Sequence, residues 1–186
     1  MAHPRTEVRQ AVIALLVNAN TAAGSRVEDS RVDPIGTSKL PLISVYTLNE
    51  SVDTDASSQS APRTLERNVK LEIAGFVPHS DAVPVATAMD NLAAQIEAAM
   101  AGDQYIGDKV SDAILEDTDM NIRAENGRSD PLIGIVTLTY SVTYQTQPGA
   151  VDATDDFRTV DAKHLVVGGV EDTVPAEDLF TVQETP

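Results

Sequence analysis

The chain has no cysteine and no tryptophan among its 186 residues, and it has only three phenylalanines and four tyrosines. Without cysteine it can form no disulfide, no thiolate nucleophile and no cysteine metal site. No stretch of the sequence approaches the roughly 18 apolar residues that a membrane-spanning helix needs. Because 42% of the residues are hydrophobic, the chain can still build a core, and its length suits one domain with extensions.

Basic residues are also scarce, since 13 Lys and Arg stand against 29 Asp and Glu, which gives a formal net charge of −16. This balance argues against broad binding to nucleic-acid phosphates, which requires clustered cations. The charge is unevenly distributed, because residues 150–186 contain nine acids and two bases. Most acidic surfaces serve solubility and carry no further meaning.

Catalytic signatures are missing as well. The sequence contains no phosphate-binding loop, no dinucleotide-binding glycine pattern and no nucleophile elbow, and its three histidines lack metal-ligand spacing. Asp117, Asp119 and Asn121 match three positions of a calcium-binding loop. However, Ile122 stands where that loop needs glycine and Arg128 where it needs a bidentate glutamate. We therefore predict a protein that is not an enzyme and that binds no cofactor and no metal.

Two stretches alternate between apolar and polar residues over unusual lengths, residues 63–77 and residues 131–146. Strands in small domains usually end near ten residues, and two such long strands would most economically be neighbours. In the first stretch residues 69–77 are largely apolar and residues 63–68 are largely polar. We therefore expect the polar half to project beyond the core as part of a hairpin.

Two segments predict helices. In residues 4–20 a proline suits the first turn, and apolar residues recur at three- and four-residue spacing. In the second segment, Ser80 or Asp81 would cap a helix that reaches Met100, with Pro84 in its first turn.

The remaining segments predict shorter strands and a loop. Residues 40–48 are almost continuously apolar, which is typical of a strand covered on both faces. Residues 26–32 alternate weakly, and residues 121–124 read as part of a further strand. Residues 50–62 predict a loop, because their serines and acids leave too little apolar surface to order them.

This order predicts an α+β fold. We expect a mixed, mainly antiparallel sheet with two helices packed on one face, a long projecting β-hairpin and an extended C-terminal arm. Residues 1–147 would form the domain, and residues 148–186 would form an acidic arm.

Several polar residues lie on the predicted strands, and they allow two interpretations. They are either ordinary surface charges that discourage pairing between sheet edges, or they meet charges on an adjacent subunit, where arginine is favoured. The candidate interface residues are Arg26, Arg31, Arg63, Glu66, Arg67 and Asn68.

Several motifs resemble one known family. The first helix contains HPRTEVRQAVIALL, and it is followed by R-V-x-x-S-R at residues 26–31 and L-P-x-I-x-V-Y at residues 40–46. R-x-L then opens the long strand at residues 63–65. Together they resemble the tail terminator proteins of long-tailed bacteriophages, the lambda-type minor tail protein U family. The resemblance continues to about residue 147, and residues 150–186 depart from the short form of that family.

The resemblance implies a structural virion protein. Such proteins form a hexameric ring that caps the head-proximal end of the tail tube, ends tube polymerisation and provides the head-attachment surface. The implied partners are further copies of the chain, the tail tube protein and a head-completion or connector protein. Genomic DNA would pass through the lumen without specific binding, and no membrane is involved. The implied location is the virion tail, after assembly in the host cytoplasm.

Two other interpretations remain open from the sequence. The chain could be another phage head–tail connector or a tail tube protein, because these also combine small α+β domains with long strands and ring assembly. It could instead be a free-standing ligand-binding domain. A monomer with a deep apolar pocket would favour that last interpretation.

Overall fold

The structure, a computed structural model, describes residues 3–32, 36–58, 63–79, 83–124 and 132–147. Over these residues the chain forms two α-helices, one short 3-10 helix and five β-strands. In chain order the elements are α1 (Pro4–Asn18), β1 (Val27–Asp29), the 3-10 helix (Thr37–Lys39), β2 (Leu42–Asp53), β3 (Leu65–Pro78), α2 (Val85–Gly102), β4 (Asp112–Ala124) and β5 (Leu132–Thr146).

The five strands form one sheet in the order β1-β2-β3-β5-β4. β1 pairs parallel with β2, and every other neighbouring pair is antiparallel. The two long strands are neighbours, as predicted, and they pair from Leu65 opposite Thr146 to Pro78 opposite Ile133. The mixed, mainly antiparallel α+β fold is therefore confirmed.

Both helices pack on the same face of this sheet. Alternate residues of β3, including Val69, Leu71 and Ile73, are fully buried in the cluster that also contains the buried faces of the helices. α1 contributes Val8, Val12 and Leu16 to this cluster, and α2 contributes Met89, Leu92, Ala93, Ile96 and Met100. The alternate residues of β3 and the apolar faces of α1 and α2 therefore pack together in one core.

Two glycines let α2 approach the sheet closely. A Cβ atom added at Gly134 would lie 2.6 Å from Cγ2 of Val85 and 2.9 Å from Cγ of Met89. A Cβ atom added at Gly75 would lie 2.7 Å from Cδ2 of Leu92. Because Gly75 on β3 and Gly134 on β5 have no side chain, the apolar face of α2 can occupy the space beside them.

The helix ends differ in detail from the predicted ends. α1 ends at Asn18, and the chain then turns through Asn20 and Gly24, which both have positive φ. α2 begins at Val85, because Pro84 has an extended conformation with ψ 136° and therefore precedes the helix. The predicted caps, Ser80 and Asp81, lie outside the described residues.

The predicted loop at residues 50–62 is wrong for its first residues. β2 continues to Asp53, after a register shift between Thr47 and Glu50. A β-bulge of this kind lets a strand continue through a sequence that has lost simple alternation. Beyond the strand, Ser57 is buried, and its hydroxyl accepts a hydrogen bond from the backbone N–H of Glu66 at 3.0 Å.

The fourth strand is longer than predicted. β4 begins at Asp112 rather than Asn121, and it pairs with β5 along its length with a register shift between Leu115 and Asp117. Among the described strands β4 lies at the edge of the sheet, and its side chains from Ile114 to Arg123 are exposed on both faces. Residues 117–123 still alternate between the two faces, but the register shift beside Glu116 interrupts the alternation, so the sequence does not show that the strand extends back to Asp112.

Two predictions, the projecting hairpin and the C-terminal arm, remain untested. The polar half of β3 has a strand on each side, since Glu66 lies opposite Asp53 of β2 and Gln145 of β5, and its projection beyond the core is untested. The domain boundary at residue 147 is also untested, because the predicted arm at residues 148–186 lies outside the described residues.

The close approach of α2 predicts that Gly134→Ala destabilises the fold. The added methyl group must displace branched side chains or shift α2, which costs about 1–3 kcal/mol in a packed core. Gly102→Ala, at the end of the same helix, is the matched control, because an added Cβ meets nothing within 4 Å there. Urea unfolding measures both variants, and equal midpoints for the two would contradict the packing described.

Candidate assembly surface

A carboxylate with three partners lies near the end of β2. The register shift brings Glu50 opposite Val69, which is fully buried, so its side chain joins the core-facing row and is only 10% exposed. Glu50 accepts from Nη1 of Arg5 at 3.0 Å and lies 3.3 Å from Nη1 of Arg67. The hydroxyl of Tyr144 donates a further hydrogen bond to Glu50. We call these four residues the Glu50 cluster.

The Glu50 cluster keeps its carboxylate charged. Burial raises the pKa of Glu50, but the hydrogen bond from Tyr144 and the positive charge of Arg67 outweigh burial and hold the pKa below its usual value. Burial and the adjacent carboxylate both raise the pKa of the Tyr144 hydroxyl, which therefore stays protonated as a donor. The cluster is a closed set of donors and acceptors that ties α1, β2, β3 and β5 together. It does not present a group for proton transfer.

A second polar group joins α1 to β1 and to the neighbouring part of β2. Asp29 of β1 accepts from Nε of Arg9 and from Nε2 of Gln10, each at 2.5 Å, and Arg9 also donates to Oγ1 of Thr47 at 2.8 Å. Burial opposes the charged form of Asp29, but hydrogen bonds from Ser30 and Arg9 lower its pKa. These contacts, like those of Glu50, hold the domain together.

The structure places the candidate arginines beside partners of their own chain. Arg26 donates from Nε to the carbonyl oxygen of Pro41 at 2.7 Å. Arg31 forms an ion pair with Glu28, and its side chain is only 9% exposed. Arg67 belongs to the Glu50 cluster. These three of the four candidate arginines thus have structural contacts within the chain.

The other three candidates lie at the polar start of β3. Asn68 donates from Nδ2 to Oγ of Ser141 at 2.7 Å, and Glu66 accepts from Nε2 of Gln145 at 3.5 Å. Arg63 is exposed. The six candidates therefore fall in two places, near β1 and at the start of β3, and their role in an interface stays a prediction.

Sequence reasoning missed Glu50 and Tyr144 as a pair. Glu50 was assigned to a loop, and Tyr144 was counted only as an apolar residue of a long strand. The available signal was a tyrosine in the apolar row of β5, because a buried hydroxyl usually needs a partner. The partner itself could not be identified without the register of three strands.

The sheet face opposite the helices is acidic over part of its area, whereas Leu42, Ala74 and Ile133 are buried at one end of the same face. Its rows alternate with the core rows, and the register of the strands places a set of charged residues there. The acids are Asp53, Glu66, Glu72, Asp112, Glu116, Asp117 and Asp119, and the bases are Lys70 and Arg123. Lys70 forms an ion pair with Glu116. Along β5 the same face carries hydroxyl side chains, those of Thr137, Thr139, Ser141 and Thr143. We call this surface the acidic face.

The described residues offer little to a metal or a catalytic reaction. No group of three or more His, Asp and Glu residues within them is placed to hold a metal ion. The residues that partly matched a calcium loop lie in β4, and an extended strand cannot wrap around an ion as that loop does. A cleft of about 340 Å³ near Pro41, Val77 and Leu92 has no charged residue in its lining.

No family model matches this chain. No curated protein matches it either. Among solved structures, it is similar to a chain described as "Virion of native gene transfer agent (GTA) particle", with 16% sequence identity and a TM-score of 0.31. The match covers 75% of this chain and 92% of that chain. A likeness at that TM-score carries no argument about fold or function.

None of the helices in the described part is long and apolar enough to cross a membrane.

The Glu50 cluster predicts different costs for removing its two arginines. Arg67 is 20% exposed and also donates from Nε to Oγ1 of Thr146 at 2.8 Å, whereas Arg5 is 48% exposed. We expect Arg67→Met to lower the free energy of unfolding by about 2 kcal/mol, because it leaves a largely buried carboxylate with one cation fewer. We expect Arg5→Met to cost less than about 1 kcal/mol, as exposed ion pairs do.

Urea unfolding of the two variants tests this difference. Both substitutions replace an arginine of the same carboxylate by the same side chain, so each serves as the control for the other. A larger loss in Arg5→Met than in Arg67→Met would contradict the described burial of the cluster.

Proposed function

We propose that this chain is a structural virion protein that forms a ring on the head-proximal end of a bacteriophage tail tube. The ring ends tube polymerisation and provides the surface to which the head attaches. The observation that carries the proposal is the division of the sheet, which has both helices on one face and the acidic face on the other. The resemblance to tail terminators, which runs from His3 to about residue 147, supports the same conclusion.

In the proposed ring the acidic face lines the lumen and the helices lie outside. Acids repel the phosphates of DNA, so the genome slides through the lumen without specific binding. The hydroxyl side chains of β5 offer a polar lining without positive charge. The partners of the ring are the tail tube protein on one side and a head-completion or connector protein on the other. The resemblance to tail terminators implies that the ring contains six copies.

A structural role also fits the chemistry of the described polar groups. Glu50, Asp29 and Tyr144 each have partners that fix their protonation state and geometry. The proposed function therefore uses no catalytic residue. The alternative, a tail tube or connector protein of the same virion class, shares the fold and differs in how the copies assemble.

Electron microscopy of the purified protein with isolated tail tubes tests the proposed function. A terminator adds a single cap to one end of each tube, and it closes into one ring rather than a filament. Open filaments of the protein alone would indicate a tube protein, and no association with tubes would overturn the proposal. Tubes that carry the cap should also stop growing when tube protein is added.

The orientation of the acidic face predicts an effect of charge reversal on DNA passage. Glu72 lies in the middle of this face, between Tyr46 of β2 and Thr139 of β5. We expect particles with Glu72→Lys to assemble and to release DNA several-fold more slowly, because a ring of lysines in the lumen binds phosphates.

Asp90→Lys is the matched control, since Asp90 is exposed on α2, on the other side of the sheet. Its particles should eject DNA at the wild-type rate. The measurement is the rate of genome release from purified particles, followed by dye binding to the ejected DNA. Equal rates for Glu72→Lys and wild type would show that the acidic face does not line the path of the DNA.

A further inference from the structure

β4 forms an edge of the sheet that carries exposed apolar residues. Among the described strands it is the last of the sheet, and its outer side pairs with no other described strand. Of the ten large hydrophobic residues exposed within the described part of the chain, four lie on β4, namely Ile114, Leu115, Met120 and Ile122. Proteins usually protect such edges, because their backbone groups can bind a further strand. An open and partly apolar edge therefore points to a partner.

The part of β4 that follows its register shift is regular. Residues 117–124 pair with β5 without interruption, and successive side chains of a strand point to opposite faces of the sheet. Met120 and Ile122 therefore share the helix side of the sheet, and they are 43% and 46% exposed. The other side of this segment is charged and contains the exposed residues Asp117, Asp119 and Arg123.

The charged row is complementary to itself. Asp117 stands three residues before Met120, and Arg123 stands three residues after it. If two copies of β4 pair antiparallel about a two-fold axis at Met120, Asp117 of each copy lies opposite Arg123 of the other. Opposite charges at directly opposed positions stabilise a strand pair. The contact contains two such pairs, and Asp119 of each copy lies opposite the uncharged Asn121 of the other.

The apolar row is complementary in the same register. Met120 lies opposite Met120 of the second copy, and Ile122 of each copy lies opposite Thr118 of the other. Directly opposed residues of an antiparallel pair have their side chains on one face, close enough to pack together. The pairing therefore covers side chains that are exposed in the single chain, and one register suits both faces of the strand.

The registers on the N-terminal side of Met120 oppose like charges. A pair centred on Thr118 places Asp117 of each copy opposite Asp119 of the other. A pair centred on Asp119 places that residue opposite its own copy. Like charges directly opposite each other destabilise a strand pair, so the aspartates disfavour both registers.

The register centred on Asn121 keeps one type of charge pair but is shorter. It places Asp119 opposite Arg123 and covers only residues 118–124 of the described strand. It also brings Asp117 level with residue 125, which is a second acid in the sequence. The register centred on the preceding residue therefore agrees best with the charges and with the length of the strand.

We propose that two copies of the chain pair through β4, antiparallel and centred on Met120. The two sheets then continue into each other, with the helices of both copies on the same side. The contact is isologous, so it joins two copies and cannot by itself close a ring. The inference therefore goes beyond the proposed ring and does not depend on it. About seven residues of each copy take part, fewer than the roughly 20–30 of a standard interface, so the dimer is weak and depends on concentration.

Cysteine cross-linking tests the centre of the pair, since the native chain contains no cysteine. Met120→Cys places a thiol on the two-fold axis, where opposed Cβ atoms lie about 4.5–5.5 Å apart, near the range that a disulfide bridges. We expect rapid conversion to a disulfide-linked dimer under mild oxidation. Tyr105→Cys is the matched control, because Tyr105 is 49% exposed and lies outside β4. Equal rates of dimer formation in the two variants would overturn the proposal.

Charge exchange tests the register in sedimentation equilibrium of the free protein. Arg123→Asp places two pairs of like charges in the contact, so we expect its dimer dissociation constant to rise at least about tenfold above wild type. Asp117→Arg should have the same effect. The double variant Asp117→Arg/Arg123→Asp exchanges the charges and should restore the wild-type constant to within about threefold. Because both positions are exposed, the urea midpoints should remain unchanged.

The double variant Asp119→Arg/Arg123→Asp is the matched control, since it has the same net charge. In the proposed register its substituted positions lie opposite Asn121 and Asp117, so it should not restore the dimer. Recovery in this variant but not in the first would place the axis at Asn121 and overturn the register. A wild-type protein that stays free of dimers up to about 1 mM would overturn the pairing itself.

Discussion

The pairing of β3 with a strand on each side is the constraint on which the rest of the structure depends. It fixes one face of the sheet as a continuous apolar surface, and the two glycines opposite α2 let that helix approach it closely. Once the core rows are fixed, the alternating rows must face the other way. The acidic face is therefore a consequence of the same register that builds the core, since a one-residue slip would exchange the two faces.

Polar contacts add to this arrangement, but strand pairing and apolar packing determine it. The Glu50 cluster ties α1 to β2, β3 and β5, and the group around Asp29 ties it to β1 and β2. Both depend on backbone positions that apolar packing has already set. Their carboxylates are charged, have partners and are held in place. Arg26, Arg31 and Arg67 are thus committed to contacts within their own domain, whereas Arg63 is exposed.

The elements that sequence reasoning predicted well are those with one buried face. β3, β5, α1 and α2 each show their period in the sequence, because a strand or helix half-covered by a core must alternate accordingly. β4 was largely missed, because a bulge beside Glu116 interrupts its alternation and acids dominate one of its faces. The end of β2 was missed for a different reason, since a bulge shifts the alternation and hides Glu50 in a loop-like sequence.

The candidate site was less predictable than the fold. The sequence shows which residues are charged, but Glu50 and Pro41 reach Arg67 and Arg26 only through the folded chain, whereas Glu28 and Arg31 are only three residues apart. The acidic face was likewise invisible as a surface, because its residues come from β2, β3 and β4 and are spread over nearly seventy positions. The register of the paired strands brings acids that are distant in the sequence onto one face. That register exists only once the strands have paired in the sheet.

The two aspartates of β4 have a consequence for the ionic conditions of assembly. At physiological salt the Debye length is about 8 Å, which exceeds the spacing of opposed residues in a strand pair of about 5 Å. Repulsion between two β4 edges therefore survives at contact but fades within a few ångströms beyond it. Asp117 and Asp119 therefore repel a second β4 edge only when the two edges are close together, in a register that places the aspartates opposite each other.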